Sequence, residues 1–272
     1  MKLLDLGVRD GAMLLFGGPY SNVQATLALL EEAKRRGIPA DHMICTGDVV
    51  AYCADPAPTV AALRASGAVV VAGNCEQQLA TDAGDCGCGF APGSTCDRLS
   101  AGWYGHADAA LDRDVRDWMA GLPDIVVFQH HGLRCAVIHG GATDVARFVW
   151  PTDPDDVFRQ ELAAIEAACG PVDRVISGHC GLAFTRQIDA TLWINAGVIG
   201  MPPNDGGAQT RFAAMQGPEV QILPLSYDHA AAQQAMRAAG LTQGYDSALS
   251  SGYWPSEDVL PPELRRAVTA SG

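Results

Sequence analysis

His42-Met43-Ile44-Cys45-Thr46-Gly47-Asp48 is an apolar strand that gives way abruptly to a glycine turn carrying a carboxylate. The same event recurs on either side of it. Upstream, Met13 to Phe16 runs into Gly17-Gly18-Pro19-Tyr20-Ser21-Asn22, and Val23 to Arg36 follows with helical spacing of Leu27, Leu30 and Ala33. Downstream, Thr59 to Ser66 reads as a helix, and a third strand, Ala68 to Ala72, ends in Gly73-Asn74-Cys75-Glu76. Strands alternating with helices predict a largely parallel sheet, with each polar loop at the C-terminal end of a strand, where ligands collect in such sheets.

Residues 80–100 read as a loop rich in Gly, Asp and Cys, and Asp108 to Ala120 as a helix stopped by Gly121-Leu122-Pro123. Strands are expected at Ile125 to Gln129 and at Leu133 to Ile138, the second ending in His139-Gly140-Gly141. An amphipathic helix, Asp155 to Ala168, precedes a strand, Arg174 to Ser177, that delivers Gly178-His179-Cys180-Gly181. Short strands near Phe184–Ile188, Leu192–Asn195, Thr210–Met215 and Glu219–Pro224 predict a second, mostly antiparallel sheet packed on the first. Residues 1–225 are expected to form one domain, and 226–272 a helical, then loop-like, extension packed on it.

With 272 residues, 48% hydrophobic and 18% charged, the chain can bury a sizeable core. A formal net charge of −13 with 18 Lys and Arg argues against extended nucleic acid and anionic lipid as partners. It leaves room for a small phosphorylated substrate if a bound cation reverses the field locally. The first residues carry no signal-peptide core, and no apolar run approaches the roughly 18–20 residues of a membrane helix, so the cytoplasm is the expected compartment; a homo-oligomer is compatible with all of this. Nine cysteines, an odd number, point to buried thiols, metal ligands or redox chemistry rather than a disulfide framework. Dinucleotide, P-loop and serine-elbow motifs are missing from the sequence.

Asp48, Asn74, His139 and His179 each follow an apolar strand. A carboxylate, an amide oxygen and two imidazoles form a mixed O and N donor set suited to Zn, Mn or Fe(II). Any one of them alone reads as a turn residue; the four in this order read as a divalent metal site.

Over roughly residues 10–225 this arrangement resembles the calcineurin-like metallophosphoesterases, in particular their small bacterial phosphodiesterases and phosphatases. That family's blocks are Asp-x-His-Gly-Asn, Gly-Asp, Gly-Asn-His-Asp/Glu, His-Gly and Gly-His-x-His. The counterparts here are Gly18-Pro19-Tyr20-Ser21-Asn22, Gly47-Asp48, Gly73-Asn74-Cys75-Glu76, His139-Gly140 and Gly178-His179-Cys180-Gly181. The resemblance implies an α/β (α+β) fold, a four-layer sandwich of two mixed β-sheets flanked by helices. It implies hydrolysis of a phosphate ester, with Asn22 and the backbone at Gly140 positioning substrate.

The departures are selective. The ligands of the family's second metal are all retained as Asp48, Asn74, His139 and His179, whereas three of the four positions for its first metal hold Gly18, Tyr20 and Gly181. The family's catalytic His is Cys75. Cys75, Cys86, Cys88 and Cys180, or a Tyr20 phenolate, are therefore candidates for completing the centre or taking part in chemistry, with Cys96 nearby. Cys45, Cys53, Cys135 and Cys169 read as packing residues, and His42, His106, His130, His131 and His229 as surface or helix-end residues. Alternatives to a phosphoesterase are a metalloenzyme of the same fold with a thiolate-completed centre, and a catalytically inactive binding protein.

Overall fold

A computed structural model describes residues 1–266; the end of the expected C-terminal extension, 267–272, lies outside the described residues. Two mixed sheets face one another. One has six strands in the spatial order β1 (Leu3–Val8), β5 (Ile125–His130), β6 (Leu133–Val137), β7 (Arg174–Ser177), β9 (Thr191–Asn195) and β8 (Phe184–Ile188). The other has five, in the order β11 (Glu219–Leu225), β10 (Thr210–Gln216), β2 (Met13–Phe16), β3 (Met43–Cys45) and β4 (Val69–Val70).

Every side chain of β2 is buried because successive residues of a strand face opposite layers, and both layers here are covered. Met13 and Leu15 join Ile44, Val126, Phe128, Val137 and Ile176 in the core between the sheets. Leu14 and Phe16 point the other way, into a core shared with helices. The opposite outer face belongs to the six-stranded sheet, where Phe158, Leu162 and Ile165 pack on Ile125, Val127, Val175 and Trp193. The result is a four-layer α/β sandwich whose buried Leu, Ile and Phe side chains each contribute on the order of 1.5–3 kcal/mol of transfer free energy.

Eight α-helices occur among the described residues. The first, α1 (Val23–Arg35), is capped by Asn22, whose side-chain oxygen accepts from the amide of Ala25. Its buried face is Ala25, Thr26, Leu29 and Ala33, rotated from the expected stripe: Leu27 is 51% exposed. Then come α2 (Pro56–Ser66), α3 (Asn74–Ala80), α4 (Thr95–Ala110), α5 (Arg113–Gly121), α6 (Asp155–Cys169), α7 (His229–Ala238) and α8 (Tyr245–Ser251). The last two pack together, and α7 lies against α1.

Several expectations are corrected. The two sheets do not divide the chain into halves: β10 pairs antiparallel with β2 and brings β11 with it, while β6, β7 and β9 run parallel in the other sheet. Leu3–Val8, which was not expected to be regular, pairs parallel with β5. The helix expected at Asp108 to Ala120 is two helices. Asp112 caps the second by accepting from Val115, and this breaks the run. The Gly, Asp and Cys loop ends early, at the Ser94 cap of α4. His130 is fully buried on β5 with Nε2 at 2.9 Å from the carbonyl of Gly11, not on the surface. No helix among the described residues is long and apolar enough to cross a membrane.

Candidate metal centre

The ends of strands from both sheets meet at one place. Gly18 donates to Gly47, Tyr20 to Asp48 and Ser21 to Val49 across the loops after β2 and β3. Gly178 donates to His139 at 2.7 Å, joining the loops after β6 and β7. The approach is so close that a Cβ on Gly47, whose φ is +102°, would stand 2.7 Å from the amide nitrogen of Gly73 and 2.8 Å from Nδ1 of His139. Only glycine allows these loops to converge. Asp48, His179 and Tyr20 themselves adopt left-handed backbone, with φ of +54°, +60° and +53°. For side chains of this size such conformations cost on the order of 1–3 kcal/mol each and concentrate at functional sites.

At the convergence, Nε2 of His139 lies 3.0 Å from Oδ1 of Asn74, 3.0 Å from Nδ1 of His179 and 3.4 Å from Oδ2 of Asp48. Nδ1 of His179 is 3.8 Å from the same Asp48 oxygen. The hydrogens of neutral His139 and of the Asn74 amide are elsewhere. Nδ1 of His139 is 2.6 Å from the carbonyl of Thr46, which can only accept, so the proton of the neutral ring is on Nδ1 and Nε2 is a bare lone pair. The Asn74 amide donates through Nδ2 to the carbonyl of Cys86 at 2.9 Å, which turns Oδ1 inward. A buried cluster of carboxylate, amide oxygen and imidazole lone pairs is repulsive unless positive charge sits among them. Ligands about 2.0–2.2 Å from a tetrahedral ion stand about 3.3 Å apart, the scale of these separations. The residues present therefore fit a divalent metal. Asp48, His139 and His179 also form a group whose donor atoms all lie within 4.8 Å of one another, and no cysteine belongs to it.

The titration preferences express the same demand for charge. Against the effect of burial, His139 and His179 hold the Asp48 carboxyl well below the usual carboxylate range. Burial alone would lower His139, but the Asp48 charge and hydrogen bond outweigh it and raise the imidazole. Burial lowers His179.

Glu76 sets the loop geometry. Its carboxylate accepts from the amides of Asp48 at 2.8 Å, Val49 at 2.8 Å and Gly73 at 2.9 Å, tying the turn after β3 to the start of α3. Burial, then the Asp48 charge, pushes its pKa up to about 7. Glu76 was quoted only as part of a block; the signal that could have found it is its place three residues after Gly73, the N3 position of a capped helix. Glu161, fully buried, does similar service for the loop after His139, accepting from Ala142, Thr143 and Arg147.

The neighbouring position is crowded by side chains. A Cβ on Gly18, whose φ is +42°, would meet the Tyr20 ring at 2.6 Å and Val198 at 2.7 Å, and one on Gly181 would meet Trp254 at 3.1 Å. Tyr20 is buried edge-on against Tyr52, centroids 4.7 Å apart. Burial, then Asp48, pushes its phenol well above its usual value, so it stands there as a neutral hydroxyl rather than a phenolate.

The other candidates scatter around the centre. Asn22 has scaffold bonds: besides capping α1, it donates to the carbonyl of Gly200 at 3.0 Å. Gly140 is hemmed in, its Cβ position 2.8 Å from the carbonyl of Arg147 and 3.2 Å from Cβ of His179. Cys86 and Cys88 are buried and bonded to each other. Asn74 links them to Cys75, with Nδ2 3.4 Å from the Cys88 sulfur and 3.6 Å from that of Cys75. Burial pushes the Cys75 thiol well up. Cys180 accepts from Asn195 at 3.2 Å, and burial pushes its thiol up to about 12.

Beside His179 opens a cavity walled by Tyr20, Tyr52, Phe90, Phe148, Tyr245 and Trp254, with Cys96, Cys180 and Gly181 at its edge. Phe148 lies over the His179 ring at 4.3 Å. Tyr245 and Trp254 arrive from beyond residue 225, and nothing in the local sequence announces them; Trp254 is anchored by Nε1 donating to the carbonyl of Pro202 at 2.7 Å.

Among solved structures, the chain is similar to a metallophosphoesterase from Sphaerobacter thermophilus, with 17% identity, a TM-score of 0.67, and 90% of this chain and 100% of that one covered. It is similar also to a hypothetical protein from Pyrococcus horikoshii OT3, with 16% identity, a TM-score of 0.72, and 90% and 99% covered. Likeness at these identities speaks for the fold. No curated protein matches the chain. The family model described as the calcineurin-like phosphoesterase superfamily domain matches residues 21–216, well over half of the sequence, and the chain belongs to the calcineurin-like phosphoesterase superfamily.

Proposed function

We propose that this chain is a metal-dependent hydrolase of a small phosphate ester that works from a single ion position formed by Asp48, Asn74, His139 and His179. The observation that carries the reading is the convergence of Oδ1 of Asn74, Nδ1 of His179 and Oδ2 of Asp48 on Nε2 of His139 at 3.0, 3.0 and 3.4 Å, a buried, donor-atom-rich cluster that positive charge stabilises. Zn, Mn or Fe suits a mixed O and N donor set of this kind. A divalent ion there supplies Lewis-acid polarisation of a phosphoryl oxygen and activation of water. The chain's own residues do the rest. Thr46 and Asn74 keep the acceptor atoms aimed inward, Glu76 holds the Asp48 turn in register, and Tyr20, neutral through burial, offers a phenolic hydrogen to a phosphoryl oxygen at the cavity wall. Cys75 replaces the imidazole expected of a general acid, and a buried thiol with a raised pKa is a weak proton donor, so a substrate with a good leaving group is favoured.

The test is elemental analysis of protein purified without chelator, followed by turnover of bis(4-nitrophenyl) phosphate with added Mn or Zn. About one ion per chain and metal-dependent release of nitrophenol are expected. An ion-free protein that also resists reconstitution would overturn the reading in favour of a binding role.

A further inference from the structure

We infer that the cavity beside His179 selects a singly charged phosphodiester carrying an aromatic group, with the ring of the ester seated between Phe90, Phe148 and Trp254; this rests on the proposed metal-dependent reading. Shape and charge carry it independently. The cavity has a volume of about 50 Å3, on the order of four water positions at ~10–15 Å3 each, the scale of one six-membered ring. Its walls are ring faces and edges. Phe90 stacks on Phe148 at 6.2 Å, and Tyr52 holds Tyr245 at 4.6 Å and Tyr20 at 4.7 Å. Rings packed in offset or edge-on pairs accept a further ring in the same geometries.

Among the described residues, no Lys, Arg, Asp or Glu lines this cavity. Asp48 is the anionic ligand of the centre, so a divalent ion leaves at most one net positive charge facing the cavity, and the buried Glu76 carboxyl behind Asp48 can only reduce it. A phosphodiester brings one negative charge and is balanced. A phosphate monoester brings close to two near neutral pH, and its second charge would be desolvated between aromatic walls with no partner, a costly arrangement. A metallophosphoesterase site with two ions would tolerate that charge; here Tyr20 and Trp254 crowd the positions of Gly18 and Gly181 instead.

Binding of diphenyl phosphate, diethyl phosphate and phenyl phosphate to Mn-reconstituted protein, followed by calorimetry and by tryptophan fluorescence, tests this without turnover. Diphenyl phosphate should bind about tenfold or more tighter than each of the other two, and Trp254→Leu and, separately, Phe90→Leu should shrink its advantage over diethyl phosphate to less than about threefold while bound Mn stays constant. Equal or tighter binding of phenyl phosphate overturns the charge argument, and equal binding of diethyl phosphate overturns the aromatic one. Should the protein take up no Mn, the hydrolase reading fails, and the same comparison on metal-free protein still decides the ring: preference for diphenyl over diethyl phosphate supports it, and parity overturns it.

Discussion

The two metal positions implied by the family's blocks lie side by side in this molecule and have met opposite fates. At one, Asp48, Asn74, His139 and His179 converge, with the hydrogens of neutral His139 and of the Asn74 amide directed away, and the Glu76 carboxylate ties the contributing loops together. At the other, side chains crowd the glycines: a Cβ on Gly18 would overlap Tyr20 and Val198, and one on Gly181 would press on the Trp254 ring at 3.1 Å. Tyr20, Val198, Gly181 and Trp254 also line the cavity beside His179, so the side chains at the altered position serve as that cavity's wall. One region is polar, poor in protons and in need of a cation; the other is aromatic and without charge.

The sharpest way to break the contrast is at Asp48. Asp48→Asn removes the anionic ligand of the retained position and should weaken Mn or Zn binding by more than about 100-fold, since even outer partners of metal ligands are worth roughly 10–100-fold; elemental analysis and metal titration read this. Retention of full metal content would mean that ions bind elsewhere. The next effect is on pH. Asp48 favours the protonated form of His139, whose Nε2 must lose its proton to hold an ion. Metal affinity should therefore be full at alkaline pH and decline as pH falls, beginning somewhat above the ordinary imidazole value of about 6.5, with proton release on binding measurable by calorimetry in buffers of different ionisation enthalpy.

A smaller effect probes the crowded position. Gly18→Asp places a side chain where the Tyr20 ring lies and asks an L residue to adopt a φ of +42°. Overpacking should destabilise the protein by about 1–3 kcal/mol, seen as a lower Tm, with the ion count still one per chain. Gain of a second ion with Tm unchanged would show that the position is open and dissolve the comparison. The smallest effect is expected at the seam between the regions. Cys75→Ser exchanges a buried thiol for a hydroxyl of similar shape and should cost about 1–2 kcal/mol while leaving metal content unchanged; loss of the ion would bring the cysteine into the centre.

Much of the retained position was legible because its ligands follow strands directly, and strands ending in Gly-Asp, Gly-Asn, His-Gly and Gly-His are short-range patterns. Glu76 was visible but silent, since its partners are the amides of Asp48 and Val49, far from it along the chain. The interleaving of the sheets was not legible: β10 could have extended either sheet, and only the pairing of Ala213 with Leu15 assigns it. The burial of Cys86 and Cys88 beside Asn74 was not legible either, because their chain neighbours are Gly and Asp and the cover comes from elsewhere in the fold.

By itself the sequence determined the order of strands and polar turns and which side chains stand at those turns, among them the proposed donor set, since each depends on residues adjacent in the chain. Tertiary structure alone decided what crowds the altered position and what the cavity can accept. Those depend on Tyr20, Phe148, Tyr245 and Trp254 meeting around His179 from distant segments, and contacts between residues so far apart follow from how the layers pack, not from any local pattern.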